Sequence, residues 1–364
     1  MSKDDSSNDI SLRDMYEGID VDANIFQIEK GGETITCLGT NFQNLHFQID
    51  KFVTEVVSTN EPGFNVIHND GKTPTIEQLP LGKHFKRIRG FLRDCQPDYD
   101  CSENVKAFCA ACKELGLFEE YPLTGKPHFP YPHRNMVEAD IYNNLLTLIR
   151  TTCGSKEFKA KSHTRVYNAT RNFRSTKVYI DRLFKRYSRM MVMRLDLEYL
   201  KNHVSKLSVG DAQKDLKHFF NNMRSNKLFT PLLGYIWRRE WGLERGIHFH
   251  VVFFYDGSLA HKDEYIASKI GDYWKNRITA GKGMHFNCNR NKLNRYKRLG
   301  IGMIHHADVQ KREHLLEAVQ YLTKKEIIFR PKDDGDFRAY GKGNMPSDKT
   351  DGPGRPRTIG VAEI

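Results

Sequence analysis

No apolar run in these 364 residues approaches the roughly 20 needed to cross a bilayer, so no membrane partner is expected. The opening Met1 to Asp14 is polar and acidic. It lacks the basic-then-apolar order of a secretory leader, and a leader is not expected. No internal repeat and no low-complexity tract occurs. Gly71-Lys72-Thr73 imitates the end of a nucleotide-binding loop, but Val66 stands where that loop requires glycine. The seven cysteines are an odd number spread over a long chain. Reduced thiols in a cytoplasmic protein are therefore expected. Cys109-x-x-Cys112, with Cys95 and Cys101 upstream, falls on the apolar stripe of a predicted helix, which favours small core residues over zinc ligands.

What is present suffices for a packed core. The chain is 39% hydrophobic, with 22 Phe and 16 Tyr, and its length suits one large domain or two ordinary ones. Its charge of +12 is unevenly placed: residues 1–150 carry a net −8 and residues 151–364 a net +20. Such polarity points the back half towards an anionic polymer.

The pattern divides the chain into an acidic, disordered 1–25, a mainly helical accessory region 26–155, a chemistry-bearing domain 156–330 and a basic Gly/Pro-rich tail 331–364. In the accessory region, Asn104 to Phe118 and Met136 to Thr151 read as helices, and Pro122 to Pro132 as loop. In the third segment, strands are predicted at 190–197, 232–240, 247–255, 284–289 and 301–306. Helices are predicted at 211–224, 262–278 and 307–326. That order is α+β, a central antiparallel sheet flanked by helices.

Ile247-His248-Phe249-His250 places two imidazoles on one face of a strand, about 7 Å apart at Cα, with Phe249 on the other face. The plain alternative is a pair of half-buried histidines. Glu240 ends the preceding strand, and a hairpin through Trp241 to Gly246 would fold it beside them. Two nitrogens and an oxygen suit Mg²⁺ or Mn²⁺ when phosphate oxygens complete the shell. Glu244 competes as a ligand, and a partnership with Arg238 or Arg239 is the plain reading of Glu240. On the last helix, Lys324 and Lys325 lie three and four residues past Tyr321, on its face. A nearby lysine can make a phenol a usable nucleophile. Alone, Tyr-x-x-Lys is an ordinary amphipathic turn.

Taken in order, Arg194-Leu195-Asp196-Leu197, Glu240-Trp241, Gly246-Ile247-His248-Phe249-His250 and Gln320-Tyr321-Leu322-Thr323-Lys324 resemble the HUH endonuclease superfamily. The likeness is to inovirus-type (filamentous phage) replication initiators, including the prophage YagK/YfjJ C-terminal domain, and covers roughly residues 160–358. Arg338-Ala339-Tyr340-Gly341-Lys342-Gly343 and Gly354-Arg355-Pro356-Arg357 add to it. The resemblance implies an HUH/Rep-like sheet and a divalent cation held by Glu240, His248 and His250. It also implies Tyr321 as the nucleophile that forms a 5′-phosphotyrosine, with Lys324 or Lys325 steadying charge. The implied partners are single-stranded or hairpin origin DNA and, since no helicase motor is attached, a host helicase and polymerase. Relatives with two tyrosines on one helix face differ from this chain, which has Glu317 and Lys325 at the neighbouring turns. The terminating transfer then falls to a second subunit, another tyrosine or water.

Further DNA contacts are expected from Arg194, Arg238, Arg277, Lys292, Arg295, Lys297 and Arg298, the last five interleaved with Trp274, Phe286 and Tyr296. Arg355 and Arg357 resemble a minor-groove arm. A transposase of the same superfamily and a non-catalytic DNA-binding regulator are the competing functions, and a cupin-like oxygenase is disfavoured by the basic charge. His305-His306 ends a predicted strand and could approach the metal, but a surface or capping role is its plain reading.

Overall fold

A computed structural model describes residues 25–346, less the short segments 31–32, 39–41, 70–71, 93–94, 96–98, 119–122, 132–135, 243–244, 291, 297, 325–328 and 332–337. Of the segment 1–25 expected to be disordered, only Ile25 is described, as the first residue of a strand. Residues 1–24, Arg355 and Arg357 lie outside the described residues, as do Glu244, Lys297 and Lys325.

The accessory region is mainly helical, with small hairpins. Strands β1 (Ile25–Lys30) and β2 (Glu33–Leu38) pair, followed by helix α1 (Phe42–Val57) and the hairpin β3 (Phe64–Asn69) and β4 (Lys72–Gln78). Helix α2 (Phe85–Leu92), strand β5 (Tyr99–Cys101), helix α3 (Glu103–Glu114), the short pair β6 (Pro130–Tyr131) and β7 (Met136–Val137), and helix α4 (Glu138–Gly154) complete it. Helix α3 starts where Ser102 accepts a hydrogen bond from the Val105 N–H. Phe52, Phe91, Phe108 and Tyr142 meet in one apolar core, ring against ring. Cys112 is buried there, as expected. Cys95 and Cys109, however, are joined by a disulfide with Cα atoms 5.8 Å apart, which corrects the expectation that all thiols are reduced. Cys101, Cys112, Cys153 and Cys288 are buried and lie outside this bridge.

A long helix, α5 (Lys156–Arg186), begins where Ser155 breaks from α4 and caps the Phe158 N–H. Sequence periodicity missed it. Its inward positions include Arg165 and Thr176 as well as Ala169, and the apolar stripe starts only at Tyr179, Ile180, Leu183 and Phe184. Then come β8 (Arg189–Tyr199), α6 (Val209–Asn222), β9 (Leu232–Gly242), β10 (Gly246–Asp256), α7 (Asp263–Tyr273), β11 (Gly283–Asn287), β12 (Gly302–His305), α8 (Val309–Lys324), β13 (Phe329–Pro331) and β14 (Tyr340–Lys342).

The main sheet runs β11-β8-β10-β9-β14, with β12 also on β8, and every pairing is antiparallel. Helices cover both faces. Met193, Leu195, Phe249, Val251 and Phe253 pack with Leu216 and Phe219 of α6 and Ile270 of α7. Val192, Val252, Phe254 and Ile236 pack with Leu183 and Phe184 of α5 and Leu315, Val319 and Leu322 of α8. Double coverage explains the near-continuous burial of β10. Each fully buried Phe or Val contributes about 1.5–3 kcal/mol, a gain large enough to offset several buried polar side chains at one end of the sheet. Strand β14 lies in the segment read from sequence as tail, so the sheet extends past residue 330. Strand β13 pairs with β5 and ties the back half to the accessory region, as does the 2.9 Å ion pair between Arg165 and Glu103. Among the described residues, no helix is long and apolar enough to cross a membrane.

Candidate metal centre

Strand alternation puts Glu240 and Arg238 of β9, His248 and His250 of β10, and Arg194, Asp196 and Glu198 of β8 on the sheet face covered by α5 and α8. Register completes the arrangement: His248 lies opposite Glu240, and His250 sits between Arg238 and Asp196. The two strands pair up to Gly242 and Gly246, the latter at φ +62°; a Cβ on Gly246 would stand 2.3 Å from Val204 Cγ1.

The ligand atoms of Glu240, His248 and His250 all lie within 4.8 Å of one another, and all three residues are buried. His248 Nδ1 donates to the Gly246 carbonyl at 3.0 Å, which leaves the Nε2 lone pair directed inward. That Nε2 is buried without a hydrogen-bond partner, 3.6 Å from Glu240 Oε2. His250 Nε2 lies 2.9 Å from the same oxygen. Two donors at right angles about one ion, each about 2.1 Å from it, would stand about 3 Å apart, so the spacing fits a small divalent cation. The orphaned Nε2 points the same way.

Behind His250, Nδ1 lies 2.5 Å from Asp196 Oδ1. A carboxylate on the far nitrogen of a ligating histidine fixes its tautomer and raises its basicity. Arg245 anchors that carboxylate in turn, 3.3 Å from Asp196 Oδ2 and ion-paired with Glu198. Arg194 Nε sits 3.7 Å from Asp196 Oδ1. Burial, reinforced by the Arg245 charge, pushes the His248 pKa down to about 4, so its imidazole is neutral and its lone pair available at neutral pH. Burial also acts to lower His250, but the carboxylates of Asp196 and Glu240 outweigh it and raise the group. For Asp196, burial acts upward and is overcome by His250, Arg194 and Arg245, which hold the carboxyl well below its usual range. Burial raises Glu198.

The structure thus brings together the three expected ligands. Asp196, Glu198 and Arg245 were not singled out from sequence. The signal was the alternation Arg194-x-Asp196-x-Glu198, three charges on one face of an otherwise apolar strand. Tyr321 and Lys324 lie on α8, whose Leu315, Val319 and Leu322 pack on this same sheet face; their side chains, like Lys325, lie outside what is described. Arg238 is only 2% exposed and lies in the cluster's own layer, so its place is within the centre rather than on an outer surface. Arg194 is half-buried beside His250, 3.4 Å from Nδ1. Arg277 is exposed. Lys292 is held 2.8 Å from Asp263, and Arg298 pairs with Glu317 at 2.7 Å. The Arg295 side chain is outside the described set. His305 is exposed at the end of β12, and His306 is half-buried beside it.

Residues 155–343 match the family model of the YagK/YfjJ C-terminal domain, from the start of α5 to the residue after β14. No curated protein and no solved structure matches the chain.

Proposed function

The chain belongs to the YagK/YfjJ C-terminal domain family, and we propose that it is an HUH-type tyrosine endonuclease. It nicks single-stranded DNA at an origin, transfers the strand and so initiates rolling-circle replication. The observation that carries this reading is the buried Glu240-His248-His250 donor set, backed by Asp196, on the sheet face that also receives the Tyr321 helix.

Glu240, His248 and His250 would hold a Mg²⁺ or Mn²⁺ ion, which supplies Lewis-acid polarisation of the scissile phosphate. Asp196 keeps the His250 proton on Nδ1 and its Nε2 lone pair towards the cation. The Tyr321 oxygen attacks phosphorus. The new bond is the 5′-phosphotyrosine ester and the bond broken is P–O3′; the phenol gives up its proton to solvent and the departing 3′ oxygen takes one up, so the exchange balances. Lys324, one helical turn on, offsets negative charge on the phenol oxygen or the phosphate. The ester conserves the phosphodiester's energy, so rejoining requires no nucleotide hydrolysis.

The test is incubation of labelled single-stranded origin DNA with the protein and Mn²⁺, followed by denaturing electrophoresis. A denaturant-stable adduct is expected with the wild type and none with Tyr321→Phe, while Mn²⁺ affinity is the same in both. Undiminished adduct with Tyr321→Phe would remove the assignment. Salt-sensitive DNA binding with no adduct from the wild type would favour a non-catalytic regulator.

A further inference from the structure

Helix α5 carries ten basic and two acidic residues. Both acids are engaged, Glu157 with Lys161 and Asp181 with Arg312. Tyr167, Arg171, Arg174 and Val178 follow one another at steps of four, three and four, which places them on a single stripe of the helix. All four are exposed. With Thr170 and Met345 they line a groove of about 410 Å³ between α5 and the chain that follows β14. Neither Arg171 nor Arg174 has an ion-pair partner among the described residues. Lys342 donates to Ser175, which lies on the groove wall. The Tyr167 ring, 57% exposed, stacks on His163 with planes 17° apart, presenting a flat aromatic surface beside the arginines.

From this combination we infer that the groove is a docking site for single-stranded nucleic acid, separate from the buried metal centre. Tyr167 stacks a base, and Arg171 and Arg174 pair with phosphates. An uncompensated run of guanidinium groups selects an anion. The exposed aromatic among them selects a ligand with planar rings, the combination by which single strands are held without sequence readout. An acidic protein surface would satisfy the charge and leave the ring without a role. The site's place also suits the substrate named above. Thr176, one turn from the groove, hydrogen-bonds Tyr340 of β14, and Tyr340 lies opposite Arg238, two residues from Glu240 on β9. A strand lying along α5 would therefore run beside the sheet edge nearest the metal centre. The inference rests on the proposed function only for the identity of that strand as DNA.

The experiment uses the full chain in chelator, so that no strand is cut, and measures anisotropy of a labelled single-stranded oligonucleotide and its duplex across a salt series. Tyr167→Ala should weaken single-strand binding roughly five- to hundred-fold, the loss expected for one base stack, and Tyr167→Phe should restore it. Arg171→Ala/Arg174→Ala should lower the slope of log affinity against log salt by about 1.4, or 0.7 for each lost phosphate contact on a single strand. Duplex binding should be insensitive to Tyr167→Ala. Wild-type affinity and slope in all these variants would overturn the site and leave the stripe to an acidic protein. An equal effect of Tyr167→Ala on duplex would overturn base stacking. Groove-dependent binding in a protein that forms no adduct with Mn²⁺ would leave this site standing and remove the nickase. An adduct with groove-independent binding would do the reverse.

Discussion

At the scale of single residues, the centre depends on which nitrogen of each imidazole faces inward. Gly246 settles this for His248 through its carbonyl, and Asp196 settles it for His250. Asp196 is not one of the three candidate ligands; it contacts His250 and, in the proposed centre, would act through it as a positioning residue. Asp196→Asn keeps the shape and removes the charge. Mn²⁺ affinity, read by isothermal calorimetry or by the loss of free-ion paramagnetic signal, should fall roughly 10–100-fold, the usual cost of losing such a backing carboxylate. An unchanged affinity in a folded Asp196→Asn protein would show that the carboxylate only balances Arg194 and Arg245. The three candidate ligands were legible because period-2 alternation and a hairpin suffice to bring Glu240 to the His-x-His pair. Asp196 was visible only as one charge among three on its strand. Its pairing with His250 depends on the register between β8 and β10, two strands separated by α6 and β9, and register of that range is set by packing on both faces.

At the scale of elements, α8 must lie close against the sheet for Tyr321 to serve the centre, and Gly300 permits that approach. A Cβ on Gly300 would stand 2.5 Å from the backbone carbon of His314 and the backbone nitrogen of Leu315. These are main-chain atoms of α8 and cannot rotate away. Gly300→Ala should therefore displace α8, at a cost of about 1–3 kcal/mol typical of overpacking. Adduct formation should drop while Mn²⁺ affinity is retained, because none of the three candidate metal ligands is on α8. Parallel adduct and Mn²⁺ assays on that variant check this, and loss of both together would count against separate positioning of nucleophile and ligands. Helix α8 itself was readable from its apolar spacing. Helix α5 was not, because its first two-thirds present cations outward and a salt-bridged arginine, alanine and threonine inward. Only contact with the accessory region and the sheet makes those residues a buried face.

At the scale of the whole molecule, the accessory region has its own apolar core, and its disulfide closes a loop of sequence separation 14. Such a loop is worth about 3 kcal/mol, chiefly by restricting the unfolded chain. Reductant, or Cys95→Ser, should lower the unfolding midpoint of the accessory region in scanning calorimetry while Mn²⁺ affinity holds. An unmoved midpoint would mean that the bridge adds nothing to stability. Cysteine spacing gave no warning of this pair. Cys95 precedes α3 and Cys109 is half-buried on its face, so their approach follows from how the chain enters that helix.

The amino-acid sequence by itself determined the division of charge, the α+β order, the principal strands of the sheet and the Glu-His-His triad. All of these follow from local periodicity and short-range hairpin geometry. Tertiary structure decided the partner of His250, the burial of Arg238 and the incorporation of β14 into the sheet. It also decided the link between the −8 half and the +20 half through α5 and the β5–β13 pair. Each of these rests on contacts between segments distant in sequence. Their free energy comes from burial and register, quantities that no local pattern encodes.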